Sequence, residues 1–357
     1  MSDTQSATAA TQPTTYPQYI RKIGLVVYAP QGAPSGQGGI GSDTVASQSS
    51  SAASPQNSSN NGLDLSNMHI KFHVEGMSFD RPKIAIIRVY NLAIATQNKI
   101  KQEYQAVTLQ AGYENGAYGI IFSGTIKRIK TGRESAVDTF LEIMAADADL
   151  LSFTYVNKTL AAGSTQQQKA QTVIDAAMAN GAITSSDTTA LAGTGGVNLS
   201  ATRAQVQFGW GVAQLNDVAS TTNTSWFVEN GVLKFVSNTG YLAGQAVVLN
   251  SQTGMVGIPE ATNNGIEVSA LLNPNIKIGT RVQIDNAAIN QTQSNSNVGF
   301  PTFNDYTFIA NVTNDGFYRV LVVAHSGDTR GNEWYTKMTC LALDASAAPG
   351  SSVLAYG

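Results

Sequence analysis

Charge is what this chain has least of. Asp, Glu, Lys and Arg make up 13% of its 357 residues, about half the share of a typical soluble domain. Ala, Ser, Thr, Asn, Gln and Gly take their place. Such a surface repels other copies weakly and has few charges to desolvate when a partner covers it. Neither sign dominates: 21 Lys and Arg stand against 24 Asp and Glu, a formal net charge of −3. That balance does not support wholesale binding to nucleic acid or to an anionic membrane. Cys340 is the only cysteine, so no disulfide can form within the chain. No apolar run approaches the roughly 20 residues that span a bilayer, which argues against membrane insertion. Met1 to Tyr16 lacks a basic start followed by an apolar core and is not read as a signal peptide. Without such a signal, triplets such as Asn57-Ser-Ser and Asn223-Thr-Ser are not read as glycosylation sites.

What the chain does have is 42% hydrophobic residues and enough length for two or three cores. Residues 1–17 read as a flexible arm. A β-branched run at Ile20 to Tyr28 predicts a strand. Gln31 to Gly62 is almost all Gly, Ser, Ala, Gln, Asn and Pro, a low-complexity insertion. Met68, Ile70, Phe72 and Val74 then alternate with His69, Lys71, His73 and Glu75, the period of a half-buried strand. Lys83 to Asn91 predicts another strand and Leu92 to Tyr104 a short helix. Alternation resumes from Val107 to Tyr113 and from Tyr118 to Lys130, around Asn115-Gly116, a hairpin signal because both residues tolerate positive φ. Gly132-Arg133-Glu134 reads as a turn, and Val137 to Ala145 returns. Residues 18–150 thus form a sheet-rich unit, connected as a meander.

Residues 151–243 read as a small α+β unit. Ser164 is placed to cap a helix from Thr165 to Asn180, ended by Gly181. Ser185 to Ser200 reads as a loop, Gly211 to Thr222 as a helix, and Asn230-Gly231 as a second hairpin turn. In residues 244–344 the predicted strands are Val247–Asn250, Gly265–Leu271, Arg281–Asp285, Phe317–His325 and Trp334–Leu343, with a polar loop at Gln291 to Asn304. Residues 345–357 read as a loose tail.

Each candidate for chemistry has a plainer reading. Gly36-Gln-Gly38-Gly-Ile-Gly41 matches G-x-G-x-x-G, with Asp64 near the offset of a ribose ligand. No helical face follows to hold a pyrophosphate, so no dinucleotide site is expected. Gly193 to Gly196 lacks the Gly-Lys-Ser/Thr of a P-loop. His69 and His73 stand four apart on a strand, roughly 13 Å, too far to share an ion. His325, Ser326 and Asp328 hold the side chains of a hydrolase triad, but within one expected hairpin loop, whereas triads assemble from distant segments. Asp147 and Asp149 read as solvated charge at a strand end. Lys127, Arg128, Lys130 and Arg133 form the only basic cluster, and alternation splits them between two faces. No catalytic, cofactor or metal residue is expected, and the chain is read as a building block and not an enzyme. A β-rich adhesin or glycan-binding module, or a hydrolase using the His325 loop, are the alternatives.

Several segments carry a resemblance. Lys83–Leu92 (KIAIIRVYNL), Thr108–Tyr118 (TLQAGYENGAY) and Gly119–Glu134 (GIIFSGTIKRIKTGRE) resemble the first domain of the baseplate central hub proteins of contractile-tailed, Mu-like bacteriophages. Ala246–Val256 (AVVLNSQTGMV), Leu271–Arg281 (LLNPNIKIGTR) and Tyr318–Cys340 (YRVLVVAHSGDTRGNEWYTKMTC) resemble the later domains of the same family. The insertion at 31–62 departs from the pattern. The resemblance implies a mainly β fold with an α+β insert: two tail-tube-like β-barrel domains, 18–150 and 244–344, flanking 151–243. It implies a homotrimer that forms a pseudo-sixfold ring around a DNA channel. A tail tube or tube-initiator protein lies at one end and a trimeric spike at the other, with tape-measure C-termini and wedge proteins as further neighbours. DNA would pass without specific binding. The place implied is the virion baseplate, after assembly in the bacterial cytoplasm. The resemblance assigns no interface residue.

Overall fold

A computed structural model describes residues 20–29, 62–77, 81–193, 200–262, 265–291 and 316–342. The expected arm (1–17), tail (345–357), Gly36–Gly41 and almost all of the insertion and of the Gln291–Asn304 loop lie outside these residues. The first elements are β1 (Arg21–Tyr28), β2 (Gly62–Asp64), β3 (Ile70–Met77), β4 (Ile84–Tyr90), α1 (Ile94–Glu103), β5 (Ala106–Tyr113), β6 (Tyr118–Arg133) and β7 (Thr139–Ala146). Then come a 3-10 turn (Asp149–Phe153), β8 (Tyr155–Leu160), α2 (Gln166–Ala179), β9 (Ser185–Asp187), α3 (Thr189–Gly193), β10 (Gln205–Trp210), α4 (Gly211–Thr222), β11 (Thr224–Glu229) and β12 (Val232–Ser237). The last are β13 (Val247–Leu249), β14 (Met255–Thr262), β15 (Gly265–Leu271), β16 (Arg281–Ile284), β17 (Asn290–Gln291), β18 (Phe317–Asp328) and β19 (Trp334–Ala342).

The fold is mainly β. Among the described residues its principal sheet has 14 strands, with β17-β14-β15-β19-β18-β3-β4-β7-β6-β5-β1-β2 in line and β13 and β16 branching from β18. Two orders differ from a meander: β4 pairs with β7, and β1 pairs with β5. The alternation was right and the order was not, because period-two patterning fixes which face a residue takes but not which strand lies beside it. β3 also pairs antiparallel with β18, Val322↔Met77 through Asp328↔Lys71, so the early and late strands share one sheet.

Three hydrophobic clusters pack against these strands. The first gathers Leu25, Phe72, Ile87, Leu109, Phe122, Leu141 and Trp334; the second gathers Val268, Ile278, Val282, Tyr318 and Val323. The third joins α2 and α4 to β11 and β12 through Val173, Ile174, Leu215, Trp226 and Phe235. Each fully buried side chain of this size contributes about 1.5–3 kcal/mol. Phe227 and Val236, from β11 and β12, belong to the second cluster, so the helical unit is packed onto the late strands.

Local signals were met with exceptions. Asn230 (φ 52°) and Gly231 (φ 80°) both take positive φ, as an Asn-Gly hairpin turn requires. At Asn115-Gly116 neither residue does. The strain falls on Gly112 (φ 153°), where an added Cβ would lie 2.0 Å from the Ala117 carbonyl oxygen. The expected Ser164 cap is instead Thr165, which shares a full capping box with Gln168. Gly132 and Arg133 still belong to β6, and the turn is closed by Glu134 and Asp138. The Ser185–Ser200 loop contains β9 and α3. β14 was missed because Gly257 and Pro259 interrupt its alternation, where the register shifts between Val256 and Glu260.

Candidate functional site

Eight adjacent strands, β14 through β6, present one face to the cores and leave the other open. Following the register from strand to strand gives its rows. One runs Val256, Ser269, Lys337, Ala324, Glu75, Ile84, Ala146, Thr125. The next runs Leu271, Tyr335, Ser326, His73, Ile86, Met144, Arg128. A third runs Asp328, Lys71, Arg88, Glu142, Lys130. Glu267 and Glu260 stand opposite each other at the far edge. Five cations (Lys71, Arg88, Arg128, Lys130, Lys337) therefore share the face with five carboxylates (Glu75, Glu142, Glu260, Glu267, Asp328). Arg88 donates to Glu142 at 2.7 Å and lies 3.7 Å from Glu134. Ile84, Ile86, Met144 and Val256 are exposed between them.

The basic cluster is divided as alternation predicts, with one addition. The register shift between Ile126 and Arg128 leaves Lys127 outside the pairing, where it bonds Asp149. Arg128 and Lys130 lie on the open face, and Arg133 on the other.

His69 and His73 do not meet. His69 Nε2 lies 2.8 Å from Asp328 Oδ1 and its ring stacks on Tyr90 at 4.3 Å, whereas His73 is half exposed near Glu75. The triad candidates are likewise apart. β18 runs on through Asp328, so His325 and Ser326 are strand residues pointing to opposite faces, not loop residues. His325 is buried against Thr336 at 2.9 Å, and burial pushes it down to about 3, so it is a neutral core residue. Asp64 holds a turn through the Ser66 N–H and hydroxyl.

Asp147 corrects the reading of solvated charge. It is 2% exposed, accepts the Gly231 N–H at 3.1 Å, and burial pushes it up to about 6 against the pull of Lys83. Lys83, equally buried, lies 3.5 Å from Glu229 Oε1, while Lys234 lies 3.7 Å from Oε2. Burial draws Lys83 below its ordinary value, opposed first by Glu229 and then by Asp147. Lys83 and Asp147 flank β4 and β7, and Glu229 ends β11. This ionic group thus fastens the helical unit to the sheet. Arg319 of β18 does the same from the other side, donating to the Ser237 and Gly240 carbonyls at 2.7 and 3.3 Å. Sequence reasoning missed these cations because a lone Lys or Arg beside an apolar run reads as a strand end.

A second exposed surface is uncharged. On the β8–β10 ribbon, Tyr155↔Trp210 and Thr159↔Val206 pair on one face with Phe208 between them. Tyr155 meets Phe208 and Trp210 edge to face at 5.2 and 6.0 Å, yet Val206, Phe208 and Trp210 stay more than half exposed. Solvent-exposed aromatic stripes of this kind mark contact surfaces.

Among the described residues, no group of three or more His, Cys, Asp or Glu is placed to hold a metal, and no helix is long and apolar enough to cross a membrane.

Residues 67–298 match the family model described as baseplate hub gp41. Among solved structures, the chain is similar to the 43 kDa tail protein of prophage MuSo2 from Shewanella oneidensis. The TM-score is 0.50 at 9% identity, covering 80% of this chain and 95% of that one. It is similar to a tail protein from Neisseria meningitidis MC58, with a TM-score of 0.51 at 9% identity, covering 90% of this chain and 96% of that one. No curated protein matches.

Proposed function

This chain belongs to the baseplate hub gp41 family, and on that premise we propose that it is a subunit of a trimeric ring joining the tail tube to the spike around the DNA channel. The observation that carries the reading is the eight-strand face. One side is covered by two cores; the other is exposed over most of its width, apart from Ser326 and Ala146, and balanced in charge, five against five. A wall that DNA slides along must not release many counterions from it. Each net phosphate contact adds to a salt-dependent attraction, and a balanced wall forms few. Three such sheets would supply 24 strands, enough to enclose a wide channel. In this reading the strands before and after the helical unit, 18–150 and 244–344, are two tube-like units. The unit at 151–243 lies outside the ring. Its uncharged Tyr155–Phe208–Trp210 stripe faces another baseplate chain, the tube or the spike. The chain acts as structure and not as a catalyst, in the virion, after assembly in the host cytoplasm.

A reconstruction of the intact tail tests this. The expected result is three copies on the tail axis with Ile86, Arg88 and Met144 facing the channel. Copies lying off the axis, or that face packed against protein, would overturn it.

A further inference from the structure

A polar cleft of about 220 Å³ opens where β1, the turn before β3 and the β18–β19 hairpin meet. Its walls include Arg21, Asn67, Thr329, Arg330 and Trp334, and no carboxylate lines it. Arg21 is fixed in place: it donates to the Asp328, Gly331 and Asn332 carbonyls at 3.2, 2.6 and 3.0 Å and lies over the Trp334 ring. Of the carboxylates nearby, Asp64 is held by the Ser66 N–H and hydroxyl, and Asp328 is held too. Asp328 accepts the Arg330 and Gly331 N–H groups at 2.9 Å each and bonds His69. Thr329 Oγ1 accepts the Ile70 N–H, which leaves its own hydrogen to donate. Trp334 is 1% exposed, and its indole N–H has no hydrogen-bond partner. A buried donor without a partner carries an unrecovered desolvation cost, which a bound acceptor removes.

We propose that this cleft binds an oxyanion, a carboxylate or a phosphate, held by Arg330 with Asn67 and Thr329 beside the fixed charge of Arg21 and the free indole N–H of Trp334. Every group named is a donor or a cation, and planar guanidinium is suited to two-oxygen anions. The hairpin that carries Arg330 also carries Asp328, whose capture by backbone N–H groups and His69 turns its negative charge away from the cleft. The proposal does not rest on the hub reading: it concerns a small anion and the chain alone.

The chain holds three tryptophans, which makes the test internal. Trp226 Nε1 already donates to Asn216 at 2.7 Å, and Trp210 is exposed. In nitrogen-15-labelled protein at fixed ionic strength, inorganic phosphate and acetate are titrated separately against sodium chloride, with Trp334→Phe to assign the signal. The expected result is a saturable shift of the Trp334 indole resonance with phosphate, acetate or both, while Trp226 and Trp210 stay still. Arg330→Ala weakens the response at least tenfold and leaves the rest of the spectrum in place. The more effective anion identifies the source, free phosphate or a protein carboxylate. No shift with either anion, an equal shift with chloride, or an unchanged response in Arg330→Ala would overturn the proposal.

Discussion

Asp147→Asn isolates the buried junction in one substitution. Asparagine keeps the volume and an oxygen for the Gly231 N–H, but it cannot ionise. In the folded chain burial raises Asp147 from its ordinary value of 3.8 to about 6. A carboxyl whose folded value is raised is favoured in its acid form. Its stabilising contribution is fully present below about pH 3.8 and is lost as pH rises through about 6. That gap corresponds to about 3 kcal/mol, at 1.36 kcal/mol for each pH unit. Urea unfolding from pH 3.5 to 8 measures it, with tryptophan emission as the signal, since Trp226 and Trp334 lie in different clusters. Titrating groups that do not face Asp147 contribute equally to both proteins and cancel in the difference, and Lys83 and Glu229, which do face it, are tested by their own variants below. The parent should lose about 3 kcal/mol relative to the variant between pH 4 and 7, then run level with it. Parallel profiles would refute the burial of this carboxyl. A difference of the opposite sign would mean that attraction to Lys83 outweighs desolvation.

Four further outcomes follow from the same structure. Lys83→Met leaves Glu229 and Asp147 buried without their nearest cation and should cost about 3–5 kcal/mol. The double variant with Glu229→Met should recover much of that, read in the same unfolding assay. His325, depressed to about 3 from 6.5, contributes stability above pH 6.5 that is lost as pH falls toward 3, so His325→Leu should flatten the acid limb of the profile. Gly112→Ala drives a Cβ against the Ala117 carbonyl at positive φ and should lower the denaturation midpoint by the equivalent of about 1–3 kcal/mol. Phe208→Glu, on the exposed ribbon, should leave the melting temperature of the free chain unchanged and reduce its incorporation into tails, counted by tail assembly in complementation.

Some of this was legible in advance. The strict alternation of Ile70 to Glu75 gave both faces of β3 correctly, and Asn230-Gly231 gave a hairpin with the dihedrals it requires. Both signals are local, so a window of a few residues holds all the physics. The pairing of β3 with β18 joins residues some 250 positions apart, and no local pattern encodes a neighbour so distant. Asp147 misled for a related reason. A carboxylate at a strand end is usually solvated, and what buries this one is Gly231 and Lys83, 84 and 64 residues away by number. His325 and Asp328 looked like partners because they are close in sequence, but a strand sends residues 325 and 328 to opposite faces.

The scarcity of charge acquires a meaning from where the remaining charges lie. Lys83, Asp147, Glu229 and Arg319 are buried where the helical unit meets the sheet, where an unpaired ion costs several kcal/mol and the geometry of the joint is correspondingly fixed. The open face carries five cations against five carboxylates, with Arg88 paired to Glu142, so its net charge is zero. The β8–β10 stripe carries none on its exposed face. A chain that needed only solubility would spread its charge over every surface. Here one exposed face is neutralised and another is bare. The bare one is the surface expected to become buried against a partner, because aromatic rings at more than half exposure gain the most when water is removed from them. Phe208→Glu must then act on assembly and not on folding; a free variant as destabilised as it is poorly incorporated would show that the ring serves the fold instead.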